Sequence, residues 1–84
     1  MKTTFYVAVF SGDTNQVPVA TTTSIAKMPL SAMVFGLQRL QMTRAGRVEV
    51  TDTNGEMQDI FYHVVLTSER VTYDRAVLVE EDEP

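Results

Sequence analysis

The sequence predicts an α+β domain: an antiparallel sheet of about five strands, in the order β-β-α-β-β-β, with one helix packed on one face. Three observations predict it. Five stretches rich in β-branched and aromatic residues are bounded by turn residues. Between the second and third of these, apolar residues recur at helical spacing. Asn54-Gly55, the strongest short hairpin signal, sits between two of the strand-like runs.

Residues 4–10 are rich in aromatic and β-branched side chains and read as the first strand, closed by the turn cluster Gly12-Asp13-Thr14-Asn15. The run Val17-Pro18-Val19-Ala20-Thr21-Thr22-Thr23 reads as the second. Pro18 has no N–H to give to a ladder, so this strand is expected at an edge. Pro29 then opens a helix, because a missing N–H costs nothing in the first turn; Ser31 is a competing cap. Leu30, Met33, Val34, Leu37 and Leu40 form its apolar stripe, with Gln38, Arg39 and Thr43 largely off it. Gly46 is expected to end the helix as a left-handed cap, with Arg44 near the negative end of its dipole. Gly36, in the interior, costs about 1 kcal/mol relative to Ala and marks a close approach to the sheet. Strands are expected at 48–53, 57–66 and 70–79, the last two separated by Thr67-Ser68-Glu69.

Alternation suggests how the last strands pair. A turn at Ser68-Glu69 sets Leu66 opposite Val71, Val64 opposite Tyr73, Tyr62 opposite Arg75 and Ile60 opposite Val77, with His63 facing Asp74 on the other side. A simple two-residue turn at Asn54-Gly55 sets Val48 opposite Phe61 and Val50 opposite Asp59, on the face away from Ile60, Tyr62 and Val64. A bulge shifting the register by one would unite the two sets. Both readings are open at this level.

Length and composition set the frame. Eighty-four residues, 44% hydrophobic and 21% charged, make one globular domain with a thin core, assigned to residues 1–79, followed by an acidic tail at 80–84. The net charge of −4 belongs to the tail: Glu80, Glu81, Asp82 and Glu83 are four of the eleven acids, and without them seven acids face seven bases. A neutral body lacks the basic surface that tracks phosphates, so nucleic-acid binding is not expected. The absence of cysteine rules out disulfides, thiolate metal sites and cysteine nucleophiles. No apolar run approaches the ~20 residues that span a bilayer. The stretch from Lys2 to Phe10 lacks a small-x-small cleavage site, so it reads as a strand rather than a secretion signal. No membrane association and a cytoplasmic location are expected.

Residues that could carry chemistry are few. His63 with Asp74 has the outline of the base and orienter of a hydrolase triad, but Ser11, Ser24, Ser31 and Ser68 all lack a nucleophile-elbow context. Asp52-Thr53-Asn54-Gly55-Glu56 has acids in a loop without the twelve-residue calcium spacing. Glycines scattered at 12, 36, 46 and 55 form no phosphate loop. No catalytic residue, cofactor or metal is therefore expected.

The surplus of apolar residues points to binding instead. One helix, about 10–12 Å across, covers two or three strands spaced about 4.8 Å apart. Yet the first strand offers Phe5, Val7 and Val9 on one side and Tyr6, Ala8 and Phe10 on the other. The sheet curls, a second copy docks, or a partner covers it. Phe5, Val7, Val9, Phe61 and Val65 are the candidate interaction surface, with a homodimer through that face, and Glu80, Glu81, Asp82 and Glu83 a candidate acidic contact that could imitate phosphates toward a basic protein. The expected function is a small non-enzymatic protein–protein interaction module, of the kind found among phage or mobile-element accessory and inhibitor proteins that bind a host protein. The alternative is a single-stranded nucleic-acid binder stacking bases on Phe5 and Phe61, with Arg47 and Arg75 nearby.

Overall fold

The structure, a computed structural model, describes residues 1–75. The acidic tail and the end of the last expected strand, including Val77, lie outside the described residues. Among the described residues five strands form one antiparallel sheet, in the chain order β1 (Thr3–Phe10), β2 (Ala20–Ala26), α1 (Pro29–Leu40), β3 (Arg44–Asp52), β4 (Met57–Leu66) and β5 (Val71–Arg75). The spatial order is β2-β1-β3-β4-β5. The α+β architecture expected from the pattern is the one observed.

Alternation in β1 sends Phe5, Val7 and Val9 to the helix side, where all three are buried. Their cross-strand partners follow: Val50 faces Val7, and Val48 faces Val9. Phe61 lies opposite Val48 and completes the layer, with Tyr73 set edge-on to its ring at a 5.0 Å centroid distance. From above, Met33 and Leu37 close the core. Gly36 makes this approach possible, since a Cβ there would stand 3.0 Å from the Val7 side chain.

Several boundaries move, each for a local reason. Pro29 does open the helix, behind an extended Met28 with no side-chain cap. The helix stops at Leu40 rather than near Gly46. Gln41 takes the left-handed conformation at φ 58°, and the Met42 N–H bonds the Leu37 carbonyl at 2.9 Å. Residues 44 and 45 are then free to pair with β4, Arg44 opposite Val65 and Ala45 opposite Val64. Gly46 is thus a strand residue: a Cβ on it would come within 2.5 Å of the Ser11 carbonyl oxygen and 2.6 Å of Gly12 Cα. The second strand begins three residues later than expected. Pro18 falls outside it, although β2 does lie at an edge.

The β3–β4 hairpin answers the register question. Val48 faces Phe61 and Val50 faces Asp59, as a two-residue turn would give, but the turn is longer. Asp52 N–H bonds the Glu56 carbonyl, Gly55 N–H bonds the Asp52 carbonyl, and Gly55 sits at φ 84°. The resulting one-residue offset, seen in Thr51 opposite Met57, is undone at the irregularity between Val50 and Thr51. Further along, Ala45 and Val64 are buried with Val48 and Phe61, three residues from them instead of two or four. Between them His63 has φ 52°. This kink brings Val64 into the core.

The kink also corrects the expected β4–β5 pairing. Leu66 faces Val71 as predicted, but Tyr62 faces Asp74 and Phe61 faces Arg75, because the register slips between Tyr62 and Val65. A regular alternation cannot reveal such a slip, since it requires a non-glycine residue in the left-handed region.

The candidate interaction surface requires the main correction. Phe5, Val7, Val9 and Phe61 are buried beneath α1, and Val65 is half-buried. The helix takes the more uniformly apolar of the two faces, which is the larger gain at roughly 25 cal/mol per Å² removed from water. The face left open is the one bearing Tyr6, Ala8, Ile60 and Tyr62.

Candidate interaction edge

Between Asp13 and Arg39 the chain carries a single charge, Lys27. That segment builds β2, the turn after it and most of α1, so β2 itself carries no charge and Lys27 is the single charge in the stretch that flanks it. β2 pairs with β1 in an unbroken register from Thr3 opposite Ala26 to Val9 opposite Ala20. Its other edge has no neighbouring strand among the described residues, and every second residue there turns its N–H and C=O outward. Large apolar side chains stand exposed around it: Val19 before the strand, Ile25 within it (61% exposed) and Met28 after it.

The helix adds Phe35, half exposed. Its direction follows from the two flanks of α1. Val34 and Gln38 share a groove with Thr67, Arg70 and Val71, so that flank points toward the β4–β5 end. Gly36 sits on Val7 of β1. The remaining flank, toward β2, carries Phe35, and Met28 lies seven residues earlier, two helical turns back on the same side.

Ser24 lies in the middle of this edge strand on the helix side. It is 5% exposed, and its hydroxyl has no hydrogen-bond partner among the described residues. A buried hydroxyl left unpaired costs about 1–3 kcal/mol. On the opposite face, Tyr6, Ala8, Thr21, Thr23, Thr51 and the charged Glu49 line a shallow groove of about 310 Å³ beside the same edge.

The residues singled out for chemistry make internal contacts. His63 Nδ1 lies 3.0 Å from Asp74 Oδ2, and its Nε2 lies 3.9 Å from Asp13 Oδ2. Both ring nitrogens therefore face carboxylates, whereas a triad base must turn one toward a nucleophile. Ser11 lines the same 450 Å³ cleft as His63, while Ser24 is buried on the helix side of the sheet. The Asp52 carboxylate accepts the N–H groups of Asn54 and Glu56 at 2.9 Å each, and Gln58 Nε2 at 3.1 Å, which engages both of its oxygens inside its own hairpin.

Arg47 is likewise committed. Its guanidinium donates to the carbonyls of Asp13 and Asn15 at 2.6 and 2.7 Å and lies 3.9 Å above the Phe10 ring. Its Nε stands 3.0 Å from Glu49 Oε2, but the N–H is poorly aligned with that oxygen, so the contact is ionic rather than a hydrogen bond. Of the four residues considered for base stacking, Phe5 and Phe61 are in the core and Arg47 is spent on the loop. Arg75 pairs with Asp59 at 3.2 Å. The acidic contact at Glu80–Glu83 lies outside the described residues.

Sequence reasoning placed β2 at an edge but assigned the interaction surface to the sheet face; the signal for the edge was a long stretch with one charge. No helix among the described residues is long and apolar enough to cross a membrane. Comparison with family models, with characterised proteins and with solved structures finds no match to this chain.

Proposed function

We propose that this chain is a non-enzymatic protein-interaction module, acting in the cytoplasm, that docks another polypeptide strand against the free edge of β2. One observation carries the reading: an unbulged, uncharged edge strand of seven residues, bordered by the exposed side chains of Val19, Ile25, Met28 and Phe35. Strand addition at such an edge draws affinity from main-chain hydrogen bonds and selectivity from the side chains that flank them. The His63 cluster and the Asp52 hairpin are tied up in internal contacts and support no competing catalytic reading.

The test is comparative affinity capture from the native cell, using the wild-type chain, Thr23→Lys on β2 and Thr72→Lys on β5. The expected outcome is a set of proteins held by the wild type and by Thr72→Lys but lost with Thr23→Lys. Retention indifferent to Thr23→Lys would remove the edge from the mechanism. Micromolar binding of the purified protein to single-stranded DNA, weakening steeply with salt, would replace it with the nucleic-acid reading.

A further inference from the structure

Resting on that reading of the β2 edge, we propose that its occupant is a second copy of this chain: two β2 strands pair antiparallel about a twofold axis at Thr23, joining two sheets into one. An isologous contact requires a strand that complements itself when reversed. β2, Ala-Thr-Thr-Thr-Ser-Ile-Ala, does so about its middle residue. With Thr23 opposite Thr23, Ala20 meets Ala26, Thr21 meets Ile25 and Thr22 meets Ser24. Each pair matches in kind: small with small, β-branched with β-branched, hydroxyl with hydroxyl.

The same register supplies what Ser24 lacks. Directly opposed residues in an antiparallel pair have Cβ atoms about 4.5–5.5 Å apart. The Thr22 hydroxyl of the second copy is thus brought to the buried, unpartnered Ser24 Oγ, twice over by symmetry. Thr22 and Ser24 share the helix side of β2, because their β1 partners, Val7 and Phe5, are both buried beneath α1.

The axis runs perpendicular to the sheet, so both helices fall on the same side of the joined sheet. Their β2-facing flanks, with Met28 and Phe35, then meet across the seam, and Ile25 is covered on the other face. The contact is about 24 Å long from the rise of seven strand residues, and two layers deep. Apart from the two Lys27 side chains near its ends, no charge is placed in the seam.

The chain has no cysteine, so a single introduced one reads the register directly. Thr23→Cys places two Cα atoms about 4.5–5.5 Å apart across the axis, within disulfide reach. Thr21→Cys places its pair about 14 Å apart, four residues of strand rise, and out of reach. Sedimentation equilibrium over a hundredfold concentration range is expected to show a wild-type dimer. Thr23→Lys, which sets two like charges face to face, is expected to weaken it at least a hundredfold, and Thr72→Lys to leave it unchanged. Mild oxidation is expected to link Thr23→Cys and not Thr21→Cys. Circular dichroism confirms that each variant is folded.

A monomer throughout the range would overturn the inference while leaving the edge reading to the capture experiment. A dimer that tolerates Thr23→Lys would overturn the inference too, since the contact would then lie away from β2, and would likewise leave the edge reading to the capture experiment. A dimer broken by Thr23→Lys but linked through Thr21→Cys in preference to Thr23→Cys would overturn the register and the role given to Ser24.

Discussion

The two edges of the sheet are built on opposite plans. β2 is seven residues long, uncharged and regular against its neighbour. β5 is described as far as Arg75, carries Asp74 and Arg75, and follows Arg70. Its neighbour β4 is kinked at His63, where the register slips by one. Short strands, charges and bulges are the usual devices that stop an edge from pairing with another chain. Charges and a register slip are found at the described part of β5, and neither within β2. The chain carries seven bases and eleven acids, so β2 is bare by placement and not for want of charged residues.

That contrast can be broken most forcefully from beneath. Phe61 is fully buried between the helix and β5, so Phe61→Ala is expected to cost about 3–5 kcal/mol in urea unfolding. A loss under 1 kcal/mol together with dissociation of a dimer would return the interface to the covered face and erase the distinction between the edges.

Amide exchange sharpens the comparison at intermediate scale. On dilution through the dimer's dissociation range, the outward-facing amides of β2 are expected to exchange at least tenfold faster. Those of β5 should keep their rates, and equal changes at both edges would show that β5 is no better guarded.

The smallest effect concerns the guard itself. His63→Gly relieves a left-handed residue, worth about 1 kcal/mol. It also loses exposed contacts to Asp74 and Asp13, worth about 0–1 kcal/mol each. The net change in stability is therefore expected to stay within about 1 kcal/mol. A loss above 2 kcal/mol would make the Asp13–His63–Asp74 bridge a true support of β5.

Much of the fold was legible because it rests on local signals. The alternation of Phe5, Val7 and Val9, Pro29 at the first helical position and the stripe from Leu30 to Leu40 each point to the element that forms. What could not be read are the places where tertiary contacts override local preference. Gly46 looks like a helix cap but serves the close passage of Ser11 and Gly12, and nothing near it in sequence announces that neighbour. His63 gives no sign of a left-handed backbone, so the slip it produces was invisible. The covered face could not be read from β1, whose two sides are both apolar; it follows from the whole sheet, where Val48, Val50 and Phe61 join Phe5, Val7 and Val9 on the helix side. The edge itself was half legible: the missing charges could be counted, but the exposure of Met28 and Phe35 beside β2 depends on how α1 lies.

Arg47 has a consequence for the longest connection among the described residues, Ser11–Val19. A protease must draw its substrate into an extended strand within its own cleft before it can cut. Here the carbonyls of Asp13 and Asn15 are pinned by one guanidinium, which is itself pressed on Phe10. The backbone cannot straighten without releasing both carbonyls and uncovering the ring. The first half of a loop that its length marks as the natural nicking site is thereby held back from the extended form a peptidase needs.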